Sequence, residues 1–311
     1  MNFSVQRLRE KYSPNRSEAR LNDVLGNLAA MTYQMSNDYL TGTLEPSADD
    51  AFTSRTCRQA DCGIEYREWL QRIKHPDVVS RKTWEHVAIL RALVRAEVLQ
   101  PGSRGLGFGV GREALVADFA SRGVDVLATD LAVNDRRSAA WVATGQHAGL
   151  SLDQLSDDGI CPSDVLESRV TLRAVDMNQI PSDLTDFDFT WSACALEHLG
   201  SLEAGLAFIE NSLACLRPGG IAVHTTEFNL DSVSDTVTKG PTVVYRKPDM
   251  DGLRRRLMAN GHEMSEFEIG EPTGVFDFMT DIKPYHDGSL VIRMNGYRVT
   301  SAVIVARRGP A

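Results

Sequence analysis

The sequence lacks most of the features that mark secreted, membrane-spanning or nucleic-acid-binding chains. No run of about 18 apolar residues occurs, so no bilayer-spanning helix is expected. The opening residues, MNFSVQRLREKYS, hold no apolar stretch of the kind a secretory leader needs, so none is expected. Basic residues are the minority: 33 Lys and Arg against 42 Asp and Glu give a formal charge of -9. That excludes a broad polyanion-binding surface, which needs clustered cations to displace counterions. Cysteine is sparse and odd in number, with five residues scattered at 57, 62, 161, 194 and 215. Cys57 and Cys62 have no second pair at zinc-binding spacing, and an odd count does not suggest a disulfide framework. A reduced, cytoplasmic protein is the expectation. Internal repeats and low-complexity segments are absent too.

What is present is enough to fold. The 311 residues are 42% hydrophobic, sufficient for one sizeable core with an extension. Residues 1–95 read as a largely helical N-terminal extension that serves substrate binding or oligomerisation. Residues 96–311 read as the main domain, with an insertion at about 132–169. In the extension, Leu21, Val24, Leu25, Leu28 and Met31 recur near helical spacing. Their expected role is to pack on the core or on a second subunit, as a homodimer through the N-terminal helices. A second helix is expected from Thr83 to Leu99, closed by Pro101-Gly102. Aromatic and basic residues between 55 and 84 (Arg55, Tyr66, Trp69 and Trp84 among them) either line a substrate site or simply pack.

The chain is organised around Ser103 to Leu131, SRGLGFGVGREALVADFASRGVDVLATDL. It reads as strand, glycine loop, helix, strand and terminal acid. A glycine loop lets a ligand approach the backbone and meet the positive end of a helix. An acid at the tip of the next strand, here Asp130, can accept from ribose hydroxyls. The dinucleotide fingerprint is G-x-G-x-x-G. Starting at Gly105 its last position falls on Val110, and starting at Gly107 it falls on Arg112. The spacing at 107, 109 and 111 is G-x-G-x-G.

That spacing resembles motif I of the class I S-adenosylmethionine (SAM) methyltransferases. The resemblance extends in order through Val170–Val175 with Asp176-Met177-Asn178, the strand FDFTWS ending at Ser192, then Leu196-Glu197-His198-Leu199, a helix, Leu216-Arg217-Pro218-Gly219-Gly220 and an apolar strand. It spans about Pro101 to Asn229. It implies an α/β, Rossmann-like sheet of seven strands with the last antiparallel. It implies SAM as cofactor, held by Gly107, Phe108, Gly109, Gly111, Asp130, Leu131, Asp176, Met177 and Ser192. One departure stands out. The acid usually found two residues before the first motif glycine is Gly105 here.

Ligands of open α/β sheets sit beyond the carboxyl ends of the strands. Methyl transfer to a poor nucleophile needs positioning and removal of a proton, for which histidine suits. The base candidates are therefore His198, His224 and Glu227, with His286 in a late loop. Strand alternation puts His224 and Thr226 on one face and Thr225 and Glu227 on the other. Gln146 and His147 sit in a turn of the insertion. Some relatives bind metal through Glu-x-x-Glu-His after the fourth strand. Here the first of those positions is Cys194, so metal is expected to be absent, with Glu197, His198, Glu227 and His147 as the weaker alternative.

The segments GLGFGVG, GQHAG, GICP, VDMN, ALEHLG and HTTEFN also look like methyltransferases of bacterial polysaccharide and glycan biosynthesis. That resemblance implies base-assisted O-methylation of a sugar or glycan-linked small-molecule acceptor. Two alternatives stay open: a non-catalytic SAM-fold subunit of a glycan-assembly complex, and a nucleotide-dependent oxidoreductase.

Overall fold

The computed structural model describes residues 53–157, 159–283, 285 and 288–310, together with helical positions 20, 21, 23, 24, 26–28 and 31. In chain order the elements are β1 (Arg55–Thr56), α1 (Ile64–Arg72), α2 (Arg81–Arg95), β2 (Arg104–Phe108), α3 (Leu115–Ser121), β3 (Asp125–Asp130), α4 (Ala139–Ala143), α5 (Ser163–Arg169), β4 (Val170–Ala174), β5 (Phe187–Ser192), α6 (Leu202–Ala214), β6 (Leu216–Asn229), α7 (Lys247–Ala259), β7 (Glu263–Met264), α8 (Val275–Phe278), β8 (Ile292–Met294) and β9 (Tyr297–Arg307). No helix among the described residues is long and apolar enough to cross a membrane.

The strands form one sheet in the order β1-β9-β6-β5-β2-β3-β4, and β7 and β8 also pair with β9. Pairs from β4 through to β6 are parallel, and β9 runs antiparallel to β6 from Ile221↔Arg307 to Asn229↔Val299. This is the expected Rossmann-like arrangement with an antiparallel last strand. The sheet has nine strands where seven were expected. The extra two, β1 and β8, are short pieces that pair with β9.

The central strands are buried on both faces, which is why they read as apolar runs and not as alternation. On one face, Trp84, Val87 and Leu90 of α2 share a core with Leu115, Val116 and Phe119 of α3 and with Phe189 and Trp191 of β5. On the other, Leu206, Phe208 and Ile209 of α6 and Leu253 and Leu257 of α7 cover Leu106, Phe108 and Ala222. Ser80 caps α2 by accepting from the Thr83 N–H at 3.2 Å, and Ser201 caps α6 by accepting from Ala204 at 3.1 Å.

Residues 53–95 pack into the sheet domain: β1 is a strand of the sheet, and α2 is part of its core. In the N-terminal helical stretch, the described apolar residues Leu21, Val24, Leu28 and Met31 are exposed. Its polar side instead meets the chain, with Asp23 paired to Arg293 and Asn27 bonded to Thr280. Leu25, and the remainder of residues 1–52, lie outside the described residues. So does His286.

Candidate active site

The glycine loop connects the carboxyl end of β2 to α3. Gly109 and Gly111 have φ of 61° and 50°, backbone that side chains rarely adopt. A Cβ on Gly109 would meet the Ala195 Cβ at 2.9 Å, and one on Gly111 would meet the Gln146 carbonyl oxygen at 2.8 Å. The insertion therefore closes over the loop with its backbone.

Asp130 ends β3 facing this loop. Its carboxylate accepts from the Gly111 N–H at 3.2 Å and the Leu131 N–H at 2.7 Å. Those bonds use two of a carboxylate's roughly four acceptor positions, and the rest are available to hydroxyl donors. Burial raises the Asp130 carboxyl, against the opposing pull of His147 and of the two N–H groups. His147 is a positioning element here. Its Nδ1 accepts from the Gly149 N–H at 2.8 Å, so its proton sits on Nε2 and is donated to the Leu131 carbonyl at 2.9 Å.

Other expected ligand contacts sort by where their side chains go. Met177 lies next to Gly109 and is 7% exposed. Asp176 follows β4, where it accepts from Arg137 at 2.9 Å and from the Asn178 N–H at 2.9 Å. The Phe108 ring is buried edge-on against Phe208, leaving its main chain for a ligand. Ser192 is corrected: its hydroxyl is fully buried and bonded to His224 Nδ1 at 2.8 Å, on the α6 side of the sheet.

His224 is corrected with it. Its other nitrogen meets the Ser212 hydroxyl of α6 at 3.0 Å, and its ring packs edge-on against Phe208. Burial pushes its pKa down to about 3. A ring with no exposure and both nitrogens bonded cannot take a proton from a substrate. The alternation of β6 holds as expected. His224 faces α6 and Thr226 bonds Glu197, whereas Thr225 bonds Glu85 of α2 and Glu227 bonds Arg81 of α2.

That last contact opens a part of the site which the sequence reading missed. The first turns of α2 bring Arg81, Lys82 and Glu85 to the carboxyl ends of β5 and β6. Arg81 Nη1 contacts both Glu227 oxygens, at 2.7 and 2.8 Å, and Lys82 Nζ lies 3.4 Å from Glu227 and 3.3 Å from Glu85. The Lys82 ammonium also touches the Cys194 thiol, and Glu85 accepts from Thr225 at 3.0 Å and from Ser301. Cys194 itself has φ of 47°, a strained value for a non-glycine residue at a strand end. A sequence signal for this cluster existed. Two cations in the first turn of a helix oppose its dipole and imply carboxylates close by.

The cluster's charges are settled by its geometry. Burial works against the Glu227 charge, but Lys82 and Arg81 outweigh it and hold the carboxyl below the usual range. Burial raises the Glu197 carboxyl, and burial together with Glu197 and Glu85 raises the Cys194 thiol. Cys194, Glu197 and Glu227 offer ligand atoms within 4.8 Å of one another. Arg81 and Lys82 already neutralise that group, so a metal ion would have to displace them. The weaker alternative of the sequence reading, a four-residue metal set, is not assembled, because His147 lies with Asp130 and Leu131.

His198 follows β5 at the same edge of the sheet. Its Nδ1 lies 2.7 Å from the Pro241 carbonyl oxygen, which only accepts, so Nδ1 carries a proton. Nε2 lies 3.9 Å from Glu197 Oε1, and the side chain is 25% exposed. Trp141 of the insertion packs edge-on against the ring. Of the three base candidates, His198 alone is not buried.

No protein-family model matches the chain, and neither does any curated protein. Among solved structures, the chain is similar to magnesium protoporphyrin IX methyltransferase from Synechocystis PCC 6803 with bound S-adenosylhomocysteine, at 15% identity over 78% of this chain and 94% of that one, TM-score 0.44. It is similar to the SAM-bound amino pentose methyltransferase CalS10 from Micromonospora echinaspora, at 16% identity over 78% and 96%, TM-score 0.42. It is also similar to a Burkholderia thailandensis 1,6-didemethyltoxoflavin-N1-methyltransferase, at 16% identity over 70% and 76%, TM-score 0.40.

Proposed function

We propose that this chain is a SAM-dependent methyltransferase that transfers a methyl group directly to a hydroxyl of a small-molecule acceptor, a sugar or a glycan-linked group. The observation that carries the cofactor reading is the pairing of the positive-φ glycine loop with Asp130, at the carboxyl ends of β2 and β3. The loop denies space to side chains, and the half-buried acid keeps acceptor positions for ribose hydroxyls. In this reading Asp176 edges the adenine and Met177 covers it. SAM bound there supplies an electrophilic methyl group.

The chain's own residues then have three tasks. His198 Nε2 accepts the acceptor's proton. Glu197, 3.9 Å away, is the counter-charge that the resulting imidazolium needs. Arg81, Lys82, Glu85 and Glu227 form a braced wall beside Cys194. Glu227, held as a carboxylate by two cations, is a poor proton acceptor and acts in positioning. The sugar or glycan acceptor rests on the motif resemblance from GLGFGVG to HTTEFN.

The test is a calorimetric titration with S-adenosylhomocysteine and, separately, with NADPH. Binding of the first and not the second is expected, and the reverse would sink the cofactor reading. A mass-spectrometric search for a one-methylene gain on sugar nucleotides and glycan acceptors then tests the acceptor class.

A further inference from the structure

Buried acids among the described residues are mostly matched by cations or, like Asp277, by several N–H donors. Asp61 is paired with Arg55 and Arg58, Asp118 with Arg72 and Arg122, and Glu227 with Arg81. Glu113 breaks the pattern. It is 8% exposed, its Oε1 accepts from the Trp191 Nε1–H, and among the described residues no Lys, Arg or His lies within ion-pair distance of it. An unpaired buried carboxylate is costly and pushes its pKa upward. Burial does so here, opposed by the Trp191 hydrogen bond and reinforced by Asp130 and Glu85, to about 8. The carboxyl therefore sits among other acids in a place that favours an incoming cation.

Its location is specific. Glu113 lies two residues past Gly111, and its N–H bonds back to the Val110 carbonyl at 3.1 Å. Trp191, which holds it, packs into the space a side chain on Gly107 would take. Loop, indole and carboxylate are thus one unit on the α2–α3 face of the sheet. In the family that the sequence resembles, an acid stands two residues before the first motif glycine. Here Phe189 occupies that space: a Cβ at position 105 would lie 2.5 Å from its Cζ.

We propose that Glu113 is the anionic partner for the α-ammonium group of the cofactor, standing in for the acid that position 105 cannot carry. This rests on the SAM reading above and deepens it. Trp191 orients the carboxylate from behind, leaving the other oxygen to the ligand. The ammonium offers the charge the pocket lacks, and pairing returns the carboxyl toward its ordinary range, so binding releases protons near neutral pH.

The experiment compares two ligands by isothermal titration calorimetry, at pH 7.5 in buffers of different ionisation enthalpy. S-Adenosylhomocysteine carries the ammonium; 5′-methylthioadenosine keeps the nucleoside and thioether but lacks the amino-acid part. With the wild-type chain both bind, and only the first shows buffer-dependent proton release. With Glu113→Gln, which retains an acceptor for Trp191, the first is expected to weaken by about tenfold or more and to lose its proton release, an effect of the size expected for one charged hydrogen bond. Methylthioadenosine should bind unchanged, which also shows that the variant folds. Glu113→Asp should recover part of the loss. Equal weakening of both ligands, or of neither, overturns the role of Glu113 while leaving the cofactor reading intact. Failure of both ligands to bind the wild-type chain overturns the cofactor reading and this inference with it.

Discussion

The ring of Phe189 fills the volume that a side chain at position 105 would need. A Cβ there would lie 2.5 Å from Cζ and 2.8 Å from Cε2, closer than real carbon atoms approach. Gly105→Asp should therefore destabilise the fold by about 1–3 kcal/mol, as overpacked cores do. Chemical denaturation would measure it. Adding Phe189→Ala should relieve the clash though not the cavity cost, so the two losses should be less than additive.

Removing Arg81 should be worse than removing the pair. Arg81→Met leaves the Glu227 carboxylate buried beside Lys82 alone, and breaking a buried pair costs about 3–5 kcal/mol. Arg81→Met with Glu227→Leu should be milder than Arg81→Met alone. A double-mutant cycle on unfolding free energies decides it; an additive cycle would show that the contact does not couple.

His224 should make the protein acid-sensitive. Its pKa falls from an ordinary 6.5 in the unfolded chain to about 3 when folded. The unfolded state then binds the extra proton first, so stability is complete above about 6.5 and declines as pH drops towards 3. At pH 5 the loss from this group is about 2 kcal/mol. His224→Gln should cost stability at pH 7 but flatten the change between pH 7 and pH 5. An equal slope in the variant would show that another group is responsible.

His198→Ala should lower the methyl-transfer rate by about 10²- to 10⁴-fold, the range for loss of a general base, with S-adenosylhomocysteine affinity unchanged. Loss of affinity in step with rate would make His198 a structural support of the cleft instead.

Asp130→Ala should weaken S-adenosylhomocysteine by about tenfold or more, and loss of the bonds to the Gly111 and Leu131 N–H groups should also lower the melting temperature of the free protein. If affinity is unchanged, Asp130 serves only to tie the Gly111 and Leu131 N–H groups.

The strand-and-loop frame was legible because its signals are local. Short apolar runs end at glycine, proline or an acid, and the spacing of Gly107, Gly109 and Gly111 needs no partner to be read. The α2 cluster was not, because Arg81 meets Glu227 across 146 positions of sequence, and only the unfavourable placement of two cations in a first helical turn hinted at it. Gly105 was unexplained for the same reason: the ring that excludes a side chain there belongs to β5. His224 and Ser192 looked like site residues because they lie at the carboxyl edge, and pleating alone does not say which face the site occupies. Glu113 was hidden just ahead of a helix start, where an acid is ordinary.

The alternation of β6 has a consequence for how the chain can vary. Within four consecutive positions, His224 and Thr226 point to one layer of helices and Thr225 and Glu227 to the other. A deletion or insertion of one residue upstream in that strand would turn each of them over. The imidazole would be carried into the cleft and the carboxylate into a dry hydrocarbon layer, with composition almost untouched. Substitutions here can be weighed one at a time, but a change of length could not be absorbed without undoing the core and the cleft together.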